Sequence, residues 1–346
     1  MVSGDPCPRL KAYELEQVRA VKGFYNSWTE HAPTARFEPL TNPFLTLRSR
    51  YIVLGAYVVA SLGIGVGYSY LGLFQLLPWD RDDPLSVPVL SIAIWTVLLV
   101  IVWRESRQHG LLVRLLFGKG VPQFSLPYAV VLVASALIFS LGSFSVVFYF
   151  LSLSFPSYAT KILESDLLGG GLNSQYPKLY NILMLFLLVV YAPIVEELVF
   201  RGFLLQRWAS KWGLRRGLIA SSLLFGMLHI NNPVGLTLFG LVMGLLYVRS
   251  RSLWIPIACH SLNNLAAVGI DGLSSWVGGD HKEAVTVTSL QESWWTGLIL
   301  IAISVPFLWQ FIKRSWPKAE DDIPYLHNLW KVNAQQKAEQ LEDATE

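Results

Sequence analysis

The stretch Tyr191-Ala192-Pro193-Ile194-Val195-Glu196-Glu197-Leu198-Val199-Phe200-Arg201-Gly202 decides how this chain is read. Two adjacent acids and an arginine stand in a segment that is otherwise hydrocarbon-compatible, from Ile182 to Val195 and again from Leu198 to Leu205. Ionisable groups are costly in a bilayer interior, so a segment that keeps three of them marks a functional site by default. Two later apolar segments carry polar insertions of their own. They are His229, in Phe225-Gly226-Met227-Leu228-His229, and His260 with Asn264, in Cys259-His260-Ser261-Leu262-Asn263-Asn264. Two acids, two histidines and an amide are the components of a hydrolytic centre.

Working outward, the whole chain has the composition of a membrane protein. Of its 346 residues, 53% are hydrophobic and 15% charged, whereas a soluble domain carries about 25% charged residues. Apolar runs of nearly 20 residues complete that assignment. The net charge of +3 and the lack of a dense Lys/Arg cluster exclude a nucleic-acid partner. Cys7 lies in a polar segment and Cys259 in an apolar one, so no disulfide is expected. The first 50 residues lack the apolar core of a cleavable signal peptide, which makes the first span an uncleaved anchor with its N-terminus inside.

Hydropathy marks about eight transmembrane segments, near 51–78, 87–103, 126–154, 179–207, 217–231, 234–248, 253–270 and 293–312. Asn231-Asn232-Pro233 breaks the chain between the short fifth and sixth. Arg48 and Arg50, then Arg104, Arg107, Arg114 and Lys119, then Arg207, Lys211, Arg215 and Arg216 fall in alternate loops. Arg249, Arg251, Lys313, Arg314 and Lys318 continue the pattern, while the intervening loops carry Asp80, Asp82, Asp83, Glu164, Asp166, Asp271, Asp280 and Glu283. Every second loop is basic. The fold expected is therefore all-α and polytopic, with both termini cytoplasmic and the cell membrane as its location. The tail after Trp316 is polar, either a short amphipathic helix or disordered.

Depth ties the polar insertions together. At 1.5 Å per residue Glu196 lies roughly 18 Å from Trp208, and His229 roughly 18 Å from Gly217 on a segment running the other way. Asn264 is at a similar depth from Ser252, with His260 one turn shallower. Glu197 and Arg201 are four residues apart, the spacing at which a Glu–Arg pair meets on one helix. Glu196 is rotated about 100° away and left freer for chemistry. His260 and Asn264 share a helical face by the same spacing. Pro193 is expected to perturb the helix one turn before the acids.

Glu196-Glu197-x-x-x-Arg201, Phe225-x-x-x-His229 and His260-x-x-x-Asn264 resemble the three motifs of the CAAX protease and bacteriocin-processing (Abi) family, to which the type II CAAX prenyl endopeptidase belongs. The resemblance covers roughly residues 130–270. It implies an intramembrane endopeptidase of glutamate type, without a cofactor, acting on a peptide or protein substrate. Carried over residue by residue, Glu196 and His229 would activate a water. His260 and Asn264 would stabilise the oxyanion, and Glu197 with Arg201 would hold the site together.

Two other readings stay open. Glu196, His229 and His260 could bind zinc as a His₂Glu site with an open water position, although no H-E-x-x-H is present. Alternatively the chain could be a non-proteolytic scaffold or a transporter, since intramembrane Glu, Arg and His also build proton relays. The expected organisation is a polar cytoplasmic segment over 1–50, two spans and a basic loop over 51–125, and a protease-like core over 126–270. An outer loop with the last span over 271–313 and a cytoplasmic tail over 314–346 complete it.

Overall fold

The structure, a computed structural model, describes residues 42–47, 61–62, 65, 78–118, 125–164, 169–278, 286–318 and 321–343. The chain divides into two units, Met1–Thr41 and Asn42–Glu346, of which the first lies outside the described residues. So does nearly all of the expected first span over 51–78.

Among the described residues every regular element is helical. We number them α1 (Ser86–Gln108), α2 (Arg114–Phe117), α3 (Leu126–Ser154), α4 (Pro156–Glu164), α5 (Pro177–Trp212), α6 (Leu214–Leu228), α7 (Pro233–Ser250), α8 (Trp254–Gly278), α9 (Val287–Ser315) and α10 (Pro324–Asp343). Five of them, α1, α3, α5, α7 and α9, are long and apolar enough to cross a membrane. Eight spans were expected. The shortfall among described helices has two causes: α6 has only 15 residues, and α8 is diluted by His260, Asn263, Asn264 and Asp271.

Helix ends follow local chemistry. Pro177 and Pro233 open α5 and α7, where the missing N–H costs nothing. The Asn232 side chain accepts from Gly235 N–H and caps α7, and Thr286 forms a capping box with Ser289 at the start of α9. Gly213, at φ +88° with open space around it, makes the reversal from α5 to α6.

Helices approach closely where small residues face each other, the usual device for packing apolar helices in a bilayer. α3 lies along α9. A Cβ on Gly142 would sit 2.7 Å from Gly297 O, and one on Gly297 2.6 Å from Gly142 O. A Gly297→Leu protein is therefore expected to lose about 1–3 kcal/mol of stability from overpacking, seen as a lower thermal unfolding midpoint in detergent. A midpoint equal to wild type would contradict the crossing. α6 and α7 pair in the same way, with Gly240 against Ser222.

The acidic and basic sides are each tied together by polar contacts. Before α1, Asp83 Oδ1 accepts from Leu85 N (2.8 Å) and Ser174 Oγ (2.7 Å), and Oδ2 accepts from Gln175 N (2.7 Å). Burial pushes this carboxyl up, but the three hydrogen bonds outweigh it and leave the group below its ordinary range. On the basic side the tail folds as α10 and docks. Tyr325 is buried, its hydroxyl accepting from Leu112 N at 3.1 Å and its ring standing edge-on to Phe44. Asn328 Nδ2 donates to Leu115 O and Arg251 O, each at 2.8 Å. His327 Nε2 contacts the Arg251 guanidinium. The tail thereby straps the α1–α2 loop to the α7–α8 loop, and Leu253 N–H donates to Leu116 O across the same join.

Candidate active site

α5 is not a uniform α-helix. Leu187–Tyr191 and Leu198–Leu205 wind as π-turns on either side of an α-helical piece, Ala192–Glu197, that carries the two acids. Such π-segments concentrate at functional sites. Pro193 supplies a cause for the first. Ala192 N–H reaches back five residues to Leu187 O, and the next donor in that ladder would be the N–H that Pro193 lacks. Leu188 O is left without its helical partner. Asn264 Nδ2 from α8 donates to it at 2.8 Å.

The acids have separate environments. Glu197 is 0% and Arg201 1% exposed, and their Oε1 and NH1 atoms stand 2.7 Å apart. Arg201 NH2 donates to Gly240 O on α7 at 2.9 Å, and its guanidinium carbon lies 4.8 Å from the centre of the Phe225 ring. Glu197 Oε1 also takes His260 Nδ1 at 2.9 Å. One carboxylate oxygen thus joins α5 to α8 while Arg201 joins α5 to α7. Glu197 Oε2 is buried without a hydrogen-bond partner. Glu196, 16% exposed, points elsewhere. Its Oε1 is 4.0 Å from His229 Nε2 and its Oε2 3.7 Å from His260 Nε2.

Acceptors on the far side of both rings assign their tautomers. His229 Nδ1 lies 2.7 Å from Phe225 O, and a carbonyl only accepts, so Nδ1 carries the proton. His260 Nδ1 faces a carboxylate oxygen held by Arg201 and donates likewise. Both Nε2 atoms are thereby presented to Glu196. At 3.7 and 4.0 Å they are too far for a direct hydrogen bond, and a water lying beside the pair can reach both the carboxylate and a ring nitrogen.

The structure brings all six expected residues, Glu196, Glu197, Arg201, His229, His260 and Asn264, onto α5, the end of α6 and α8. His229 sits differently from its expected place inside a helix: it is the residue at which α6 ends, with φ −102° and ψ 68°. Asn264 has one amide hydrogen committed to Leu188 O and keeps a second. Its Oδ1 accepts from Asn263 Nδ2 at 3.3 Å. Three participants escaped the sequence. Gly240 O and Leu188 O are backbone groups without a side-chain signature, although Pro193 pointed to the second. Phe239 packs edge-on against His260 with ring centres 4.9 Å apart and reads in sequence as one more apolar residue. Cys259 is buried and unpaired.

Among the described residues no group of three or more His, Cys, Asp or Glu side chains converges in a way that could hold an ion.

Comparison with known proteins falls on this constellation. Residues 178–266 match an Rce1-like family model, described as type II CAAX prenyl endopeptidase Rce1-like. The Rce1-like segment runs from the start of α5 into α8 and contains all six residues. The chain is also 28% identical over 88 residues to YdiL of Bacillus subtilis (strain 168), a protein whose name describes it as a candidate membrane peptidase. That alignment covers 25% of this chain and 36% of the relative, so the chain spans about a third of the length of the curated relative it matches. No solved structure matches the chain significantly. With this segment and five helices able to cross a bilayer, the chain is an integral membrane protein.

Proposed function

We propose that this protein is an intramembrane endopeptidase that hydrolyses peptide bonds with a water activated by Glu196 and His229. The observation that carries the reading is the presentation of two imidazole Nε2 atoms to one carboxylate, at 3.7 and 4.0 Å. A water between Glu196 and His229 can give up a proton to either and attack the scissile carbonyl carbon. The carbonyl π pair moves onto oxygen, where His260 and the second amide hydrogen of Asn264 donate to it. His260 Nε2 donates in the form of the ring that carries a proton on both nitrogens, with Nδ1 still donating to Glu197. The proton taken from water then passes to the amide nitrogen, the C–N bond breaks and the oxyanion collapses to the carboxyl product. Glu197 and Arg201 hold α5, α7 and α8 in register and take no proton.

The substrate is a peptide or protein that reaches the membrane, with no resident metal or other cofactor required. The family name brings prenylated CAAX tails to mind as one substrate class, and a quenched peptide library tests the class directly. Both termini are assigned to the cytoplasm of a plasma-membrane protein, on the alternation of basic loops. Detergent-purified protein is expected to cleave members of the library at an undiminished rate in EDTA. Cleavage abolished by EDTA and restored by zinc would replace this mechanism with a metal one.

A further inference from the structure

His260 projects from the interior of α8 and Glu196 from the α-helical piece between the two π-turns of α5, so both stand on continuous helix backbone. His229 does not. It ends α6, its N–H reaching only to Gly226 O at 3.0 Å, and groups placed on connections need their own support to keep a productive geometry. Asn232, three residues on, makes every hydrogen bond its side chain can. Oδ1 accepts from Gly235 N (3.1 Å) and Ser143 Oγ (3.2 Å), and Nδ2 donates to Ser140 O (3.0 Å) and Ser140 Oγ (2.8 Å). Its backbone N–H donates to His229 O at 2.9 Å. The turn also presses on α3, because a Cβ on Gly235 would lie 2.6 Å from Ser143 Oγ.

We infer that Asn232 is the positioning residue for His229, stapling the α6–α7 turn to α3 so that the ring stays opposite Glu196. A helix cap alone does not explain the choice of residue. Serine or aspartate caps α7 as well as asparagine does, but only the amide can cap α7 and also donate to Ser140. α3 lies outside residues 178–266, so the Rce1-like segment borrows this support from another part of the chain. The inference rests on the reading of His229 as the partner of Glu196 in water activation.

The test uses the full chain in nanodiscs, with wild type, Asn232→Ala and Asn232→Ser compared in two ways. One is the rate of His229 carbethoxylation by diethylpyrocarbonate, read by mass spectrometry with buried His260 as internal reference. The other is kcat and KM for library-derived peptides. Asn232→Ser retains a capping oxygen and loses the reach to α3. Both variants are expected to label His229 about tenfold faster, as losing hydrogen bonds of ordinary strength predicts, with kcat lowered at least as much and KM nearly unchanged. Wild-type labelling and turnover in Asn232→Ser would overturn the inference. So would a lower thermal midpoint with unaltered His229 labelling, which is what a purely structural cap gives. If Asn232→Ala does not fold, Asn232→Ser and Ser140→Ala carry the test. If wild type cleaves nothing, accelerated labelling still upholds the positioning role and the failure falls on the protease reading alone.

Discussion

A Glu196→Gln protein is expected to keep its fold and lose peptide cleavage by about 10²–10⁴-fold, the contribution of a positioned general base. The substitution is close to isosteric and takes nothing from the packing, because Glu196 holds no direct hydrogen bond to His229 or His260 at 4.0 and 3.7 Å. It removes the negative charge that both imidazoles face. The loss should fall on kcat, with KM within a few-fold of wild type, and the thermal midpoint should not drop. Retention of most of the turnover would remove Glu196 from the chemistry and leave His229 to act alone. Loss of peptide capture together with turnover would recast the residue as part of a binding surface, as a scaffold would need.

Arg201→Met has the opposite signature. Arg201 and Glu197 are 1% and 0% exposed, and methionine fills much the same volume without charge. It strands the Glu197 carboxylate in an apolar core and leaves Gly240 O without its donor. Removing one partner of a buried ion pair typically costs about 3–5 kcal/mol, enough to lower the unfolding midpoint strongly or prevent purification. Glu197→Gln/Arg201→Met removes both charges and is expected to recover much of that loss, since a buried pair is often replaceable by apolar groups at little net cost. Activity should not return in the double variant, because His260 Nδ1 then faces a neutral amide in place of the carboxylate. A double variant no more stable than Arg201→Met would show that the pair is not the source of the cost.

Much of this site was legible because its decisive relations are local. Four-residue spacing brought Glu197 to Arg201, and the Asn231-Asn232-Pro233 break falls where α6 ends and α7 begins. The apolar run over 126–154 coincides with α3. What escaped depends on partners distant in the chain. Nothing near Gly240 announces that its carbonyl receives Arg201, and nothing near Asn264 announces Leu188 O. His229 falls inside the expected apolar segment over 217–231 because hydropathy does not register where a helical ladder stops, and only the backbone shows α6 ending at Leu228. The count of spans differs for a related reason. Hydropathy rewards apolar side chains, and the helix that carries His260, Asn263 and Asn264 gives up apolar character to present them.

The strap formed by α10 sets an order for biosynthesis. Translation delivers Glu196, His229 and Asn264 long before Tyr325 and Asn328. Until those two residues emerge, the connection between α7 and α8, which aims His260, lacks the donor that Asn328 gives to Arg251 O and Leu115 O. The nascent chain therefore carries its chemical groups before it carries their final alignment. The support from α10 is thus the last to be made, after the helices that carry the chemical groups.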